Sequence, residues 1–347
     1  MKIHYDNIIF SLQKAGGISS YWAALISRLL RDEYDVSFTE LPNQNISRAE
    51  LNIAAGKLHS TGSKRILMER FKKLYFPNQQ EPFIFHSSYN RSAFHPKAKS
   101  VLTVHDFVHE RFYGGLRRYL HLLQKDKAID AANHIIVVSE NTRQDLLHFH
   151  PALKPENISV IYNGVSEEFF PVQEILPAPK PYLLFIGSRA YYKNFNFAVA
   201  LLQTLPDFEL YIVGGAISRA EGKMLRQKLG DRWKIFTHIE NQELNLLYNQ
   251  AFALLYPSSY EGFGIPLLEV MKTGTPFIAL NRSSIPEVAG NAGILVDKLD
   301  IDAFKQAILR IPGNEQALRV QGFEQAGKFS WEKCYQETLQ VYQQLMP

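Results

Sequence analysis

Two glutamates, Glu261 and Glu269, stand eight positions apart in the stretch YEGFGIPLLE (260–269), with Gly262, Gly264 and Pro266 between them. The preceding run ALLY (253–256) reads as a strand that ends in PSS. Pro266 suits a first helical position, and glycine lets a backbone approach a ligand closely. Glu261 would therefore project from a loop, and Glu269 would lie in the opening turns of a helix. The start of that helix offers amides and a positive dipole to an anion. One carboxylate can accept hydrogen bonds from sugar hydroxyls while the other takes a ribose diol.

Other chemistry also falls just after strand-like runs. GSRAYYKN (187–194) carries Arg189 and Lys193 behind the run 182–187. A forked guanidinium and an ammonium at that place can clamp a diphosphate, or they can be two solvated loop cations. Gly16 and Gly17 precede the helix-compatible ISSYWAALISRLL, where paired glycines expose amides to a phosphate or simply turn the chain. TVHDF (103–107) sets His105 and Asp106 at a strand's carboxyl end. His105 and His109 have a zinc-like spacing but no third ligand nearby, so a polar substrate contact or a structural histidine is the better reading. Asp300 and Asp302 precede AFKQAILR and read as helix capping rather than metal binding. Neither a G-x-G-x-x-G after a strand nor a P-loop is present, which disfavours a dinucleotide dehydrogenase and a P-loop ATPase.

A chain of 347 residues has room for two domains. Its apolar runs are strand-sized and too short for a membrane span, and the N-terminus lacks the apolar length of a secretion signal. A single cysteine, Cys334, allows no internal disulfide and no cysteine metal cage. A cytoplasmic protein is expected. A net charge of +4 is mild for a nucleic-acid binder. It is concentrated in SKRILMERFKKLY (63–75), where Lys64, Arg65, Arg70, Lys72 and Lys73 face one acid, Glu69. Leu67, Phe71, Leu74 and Tyr75 recur there at helical spacing. The segment reads as a basic amphipathic helix, able to lie on anionic lipid or to pack on a domain core.

From Pro181 onward short apolar runs at 182–187, 208–213, 233–237, 253–256, 277–280 and 293–296 alternate with helix-compatible stretches. That alternation predicts a parallel sheet covered on both faces. Runs at 83–86, 100–104, 134–138 and 158–162 repeat the theme less regularly. The four prolines of GVSEEFFPVQEILPAPKP (164–181) mark a linker. The expected organisation is an N-terminal doubly wound domain (1–165), a linker (166–180), a second doubly wound domain (181–329) and a terminal helix (330–347). The fold class is α/β, two doubly wound Rossmann-like domains facing across a cleft, with ligands at the carboxyl ends of the strands.

PSSYEGFGIPLLEVMKTGTPFIA (257–279), followed by SSIPEVAGNAGILVD (283–297), resembles the C-terminal half of the retaining glycosyltransferases of family 4, the group 1 transferases of GT-B fold. AGGIS (15–19), TVHD (103–106), VVSENTR (137–143), NGV (163–165), GSRAYYKN and FSWEK (329–333) follow in the family's order. The resemblance implies that Gly16 and Gly17 meet the donor's diphosphate and that His105 contacts the transferred sugar. It implies that Arg189 and Lys193 neutralise the diphosphate and that Glu261 binds sugar hydroxyls. Amides near Phe263 and Gly264 would assist, and Glu269 would hold the ribose. Asn163, Gly187, Gly214, Ile239, Ser258 and Gly262 complete the donor positions, and the terminal helix would cross back onto the first domain. The chain departs from many members at Ser188, at Asn194, where a glycine is common, and at Ser20, where relatives with a similar opening often carry arginine.

The implied reaction moves a hexose from a nucleoside-diphosphate sugar, read as mannose from GDP-mannose, with retention and without a cofactor or metal. The acceptor would be a glycan or lipid-linked oligosaccharide in surface polysaccharide or lipopolysaccharide assembly, at the inner face of a membrane. No nucleic-acid partner is expected. The alternatives are an epimerase or hydrolase on the same fold, and a non-catalytic nucleotide-sugar-binding protein.

Overall fold

A computed structural model describes residues 1–60, 66–176 and 178–346. The chain divides into two compact units: Met1–Gly164 together with the terminal segment from Trp331, and Val165–Ser330. Lys64 and Arg65 lie outside the described residues.

The first unit contains β1 (Lys2–Asp6), β2 (Asp35–Glu40), β3 (Leu58–Ser60), β4 (Leu74–Tyr75), β5 (Phe83–Ser87), β6 (Ala93–Phe94), β7 (Ala98–Val104), β8 (His134–Val137) and β9 (Ile158–Val160). Seven of these form a parallel sheet in the order β3-β2-β1-β5-β7-β8-β9, and β4 pairs with β6. Apolar residues on both faces of the central strands are buried, as a parallel sheet with helices on each side requires. Helix Gly17–Arg31 turns Tyr21, Trp22, Leu25, Ile26 and Leu29 inward at helical spacing. The terminal helix Trp331–Leu345 buries Cys334, Tyr335, Thr338 and Tyr342 in this same unit. Arg28 and Arg31 both reach Glu332, at 3.1 and 2.9 Å, and anchor the start of that helix.

The second unit carries β10 (Tyr182–Ile186), β11 (Glu209–Val213), β12 (Trp233–Phe236), β13 (Ala253–Tyr256), β14 (Phe277–Leu280) and β15 (Ile294–Val296). They form a parallel sheet in the order β12-β11-β10-β13-β14-β15. Its core joins Leu183, Phe185, Leu210, Ile212, Leu255 and Ile278 to the inner faces of helices Phe195–Gln203 and Ile301–Leu309. The strand order reverses between β10 and β13, which makes their carboxyl ends the natural ligand position of this sheet. Residues 166–176 form no helix or strand, but they are tied to the second unit. Asn245 accepts from the Phe170 amide at 3.1 Å, and Asn249 from the Val172 amide at 2.8 Å.

The continuous basic helix expected over 63–75 is not formed. Among the described residues of that segment only Ile66–Glu69 is helical, and Leu74–Tyr75 is strand. The break has a physical cause. Arg70 donates to Gln124 at 2.9 Å while Gln124 donates back to the Arg70 carbonyl, and the Leu74 amide bonds the Ser92 carbonyl at 3.0 Å. Tertiary pairing thus takes over donors and acceptors that a longer helix would have used. No described helix is long and apolar enough to cross a membrane.

Candidate active site

In the second unit the loop after β10 begins at Gly187, whose φ of +121° favours glycine. A Cβ at Gly214, just after β11, would sit 2.5 Å from the Gly187 carbonyl oxygen. The two strand ends can therefore approach only with glycine at 214. The chain next makes a short turn, Tyr191–Lys193, and Asn194 takes the left-handed conformation at φ 54°. The Asn194 side chain donates through Nδ2 to the Pro257 carbonyl (2.8 Å) and to Ser259 Oγ (2.7 Å), and the Ser259 backbone N–H donates to the Tyr192 carbonyl (2.8 Å). These three bonds pin the β10 loop to the β13 loop.

That pinning brings Lys193 Nζ to 2.5 Å from Glu261 Oε1, with the two side chains only 14% and 11% exposed. The ammonium also lies 5.5 Å from the centre of the Tyr256 ring. Tyr256 is buried, and burial together with the neighbouring Glu261 charge pushes its hydroxyl pKa well up. The Glu261 amide donates to Ser283 Oγ at 2.8 Å. Ser284 Oγ donates to the carbonyls of Glu261 (3.0 Å) and Phe263 (2.8 Å). Gly264, at φ +110°, caps helix Ile265–Thr273, which has a proline in its first turn as expected.

Glu269 sits on that helix and accepts from the Tyr248 hydroxyl at 2.6 Å. Burial raises its pKa to about 7, and the Tyr248 bond opposes the rise. Ser258 and Phe263 are buried beside these loops, and the Phe263 ring stands 5.8 Å from Phe329. Ile239 is half-buried, ahead of helix Asn241–Gln250. Arg189 is placed differently from Lys193. Its Nε bonds Glu221 Oε1 (2.7 Å), and its terminal nitrogens bond the carbonyls of Gly215 (2.9 Å) and Ala216 (2.6 Å). Three of its donors hold the loop after β11 and the capping box of helix Arg219–Leu229, and Arg189 is the main cause holding the Glu221 carboxyl down at about 2.

In the first unit Gly16 caps helix Gly17–Arg31, and the hydroxyls of Ser19 and Ser20 both donate to the Gly16 carbonyl, at 2.8 and 3.3 Å. His105 follows β7 and is half-buried, with neither ring nitrogen hydrogen-bonded among the described residues. Burial lowers its pKa to about 4; Asp106 opposes the shift and Lys125 adds to it. The imidazole is therefore neutral near pH 7, with one donor and one acceptor nitrogen. Lys125 is held by the Asp106 carbonyl (2.7 Å) and Glu110 (2.8 Å), so it serves the loop rather than solvent. Asn163 is buried, and its side-chain oxygen has no hydrogen-bond partner among the described residues.

The family description Glycosyltransferase Family 4 matches residues 15–169, and Glycosyl transferases group 1 matches residues 166–328. The chain belongs to glycosyltransferase family 4. The O-antigen chain mannosyltransferase B of Escherichia coli is 27% identical over 95% of this chain and 96% of its own. The solved sucrose-phosphate synthase of Thermosynechococcus elongatus aligns over 99% of both chains with a TM-score of 0.78 and 21% identity. Anabaena HepE, solved with UDP-glucose, aligns over 99% of this chain and 100% of its own with a TM-score of 0.72 and 13% identity. These likenesses give this family 4 transferase the GT-B fold.

Sequence reasoning missed how several residues shape the transferase's loops. Tyr248 lies 21 positions before the carboxylate it bonds, too far for any local pattern. Asn194 is a departure from the family's usual glycine, and it keeps the left-handed backbone that asparagine tolerates while adding two bonds of its own. Ser283 and Ser284 stood in a quoted motif, yet nothing in their spacing indicated that they brace Glu261 and Phe263.

Proposed function

We propose that the chain is a retaining, metal-independent hexosyltransferase that carries mannose from GDP-mannose to a lipid-linked glycan during surface polysaccharide assembly. The observation that supports it best is the Lys193–Glu261 pair, at the carboxyl ends of the two strands where the sheet order reverses. The name of the E. coli relative supports mannose and an O-antigen type of acceptor.

In this reading Lys193 and the amides around Phe263 and Gly264 take the charge of the departing diphosphate. Arg189, held by Glu221 and two carbonyls, keeps the loop after β11 in shape and lends its charge from there. Glu261 accepts from hydroxyls of the donor sugar, and Glu269 from the ribose. In the first unit, Gly16 and Gly17 present amides to the diphosphate, and neutral His105 exchanges a hydrogen bond with the transferred sugar. Glu261 is already paired with Lys193, which makes it a poor nucleophile. Retention then follows a front-side path, in which an oxygen of the leaving phosphate takes the acceptor's proton.

The deciding experiment is calorimetric titration with GDP, UDP, dTDP, ADP and CMP, first without divalent metal and then with Mg²⁺. GDP-mannose and a glycan acceptor follow, with the anomeric configuration of the product read by NMR. Metal-independent GDP binding and a retained linkage are expected. Binding of another base would overturn the donor, and donor breakdown without acceptor would favour the hydrolase alternative.

A membrane-borne acceptor is favoured by one surface of the first unit. Leu116, Tyr119, Leu120 and Leu123 recur at helical spacing along helix Gly115–Asp130 and are exposed. Met68, Phe71 and Tyr75 are exposed as well, on the segment that Arg70 and Gln124 join to that helix, and so is Phe94 on β6, opposite Tyr75. Lys72, Lys73 and Lys127 add positive charge, which suits an anionic lipid surface. Leu116→Gln/Leu120→Gln is expected to reduce co-sedimentation with phosphatidylglycerol vesicles severalfold while leaving GDP binding intact. Unchanged sedimentation would remove the membrane from the proposal.

A further inference from the structure

A chain of buried hydrogen bonds runs beneath the strand end that carries His105. It starts on the terminal helix, where the Tyr342 hydroxyl bonds His86 Nδ1 on β5 and lies 2.6 Å from the Tyr5 hydroxyl on β1. The other ring nitrogen of His86 is 2.9 Å from Thr103 Oγ1 on β7. Thr103 is also bonded by the Tyr21 hydroxyl, at 3.1 Å, from the helix that follows Gly16. The Tyr21 ring then meets the His105 imidazole edge-on, with 5.0 Å between centroids and 83° between planes.

All five hydrogen-bonding members are buried, and Tyr5, Tyr21, His86 and Tyr342 are at most 1% exposed. The arrangement follows from the sheet: β1, β5 and β7 are adjacent, and Tyr5 stands opposite His86 in the register. Burial drives the His86 pKa down to about 3, with His105 contributing. His86 is thus neutral, donating from one nitrogen and accepting at the other. Either direction of donation along the chain satisfies both nitrogens, and a connected network of this kind fixes the geometry of its members more tightly than apolar packing does. His105 itself has no hydrogen-bonded partner among the described residues to orient it, so the ring it leans on sets its position.

We propose that Tyr21 is a positioning residue for His105, and that the terminal helix sets that position through Tyr342, His86 and Thr103. The proposal rests on the reading of His105 as the group that meets the transferred sugar. It predicts that a change in the terminal helix, with no contact to His105, alters the histidine. Tyr21 holds the imidazole from one edge; loss of its hydroxyl anchor lets the ring tilt, and small misplacements of a reacting contact are costly to turnover.

The test uses the full chain and isosteric variants: Tyr342→Phe, Tyr21→Phe and Thr103→Val, with Thr103→Ser as the conservative control. Two readouts are taken, steady-state kinetics and the imidazole nitrogen–proton correlations of His105, assigned with His105→Gln. Each of the first three variants is expected to lower kcat about tenfold with donor KM within twofold, and to shift the His105 resonances. Thr103→Ser is expected to keep both near wild type. Unshifted His105 resonances in Tyr342→Phe and Tyr21→Phe, in proteins that melt cooperatively, would overturn the proposal. Failure of the underlying reading looks different: His105→Gln would retain full kcat, while the resonance shifts would still report whether the coupling exists.

Discussion

Lys193→Ala is expected to lower kcat about a hundredfold to a thousandfold, the loss typical when one preorganised group facing developing negative charge is removed. It is also expected to destabilise the second unit, because Glu261 would be left nearly buried without its cation. Breaking one side of such a pair costs about 3–5 kcal/mol, and the residual exposure of 14% and 11% places this pair toward the lower end. The two effects are separable. In Lys193→Met/Glu261→Met no orphan charge remains, so stability is expected to recover most of its loss while activity stays down. Urea unfolding followed by fluorescence reads the first quantity, and donor consumption with acceptor reads the second. If the double variant regained activity along with stability, the pair would be a structural bridge and Lys193 would have no part in the reaction.

The second large effect is a pH dependence set by Glu269. Burial holds its pKa at about 7 in the folded protein, against an ordinary value of 4.5. A ribose diol donates to a carboxylate, so the ionised form is the one that binds. Donor affinity is therefore expected to fall as pH drops below about 7, approaching tenfold per unit, and Glu269→Gln is expected to bind weakly with this limb absent. Stability moves the other way. The folded state holds the Glu269 proton through a window in which the unfolded state has released it, so this residue's contribution is fully present below about 4.5 and is lost as pH rises through about 7. Glu269→Gln is expected to remove that decline. Calorimetric affinities and urea midpoints at pH 5.5 and 8.0 check both signs together. A pH-independent GDP affinity in the unaltered protein would detach Glu269 from the ribose.

The second unit was the more legible half because its strands are short unbroken apolar runs set between helix-compatible stretches. Each of β10 to β15 lies within a residue or so of the run that announced it. In the first unit β1 is written IHYD and β2 SFTE around their apolar residues, and neither offers an apolar run to the eye. Local placement was legible where residues lie close in sequence: Glu261 stands in the loop before the helix, Gly264 caps it and Glu269 lies on it. What was not legible depends on partners far along the chain. Arg189 reads as a phosphate clamp from its place after a strand, but Glu221 and two carbonyls 26 and 27 positions away decide where its nitrogens point. The segment 63–75 has the spacing of a helix, and it is Gln124 and Ser92 that divide it.

The terminal helix has a consequence for how the molecule is made. The second unit is one uninterrupted stretch, Val165–Ser330, and its core can assemble as soon as that stretch has left the ribosome. The first unit is begun earlier and finished later. Tyr5 and Tyr342, hydrogen-bonded to each other, are 337 positions apart, so the surface that receives Tyr342 must wait while the whole second unit is synthesised. Contacts of such separation are slow to form because the ordering cost of the intervening chain comes first. During that interval the first unit lacks the helix that covers it, and the stage most exposed to misassembly belongs to the half of the protein that is translated first.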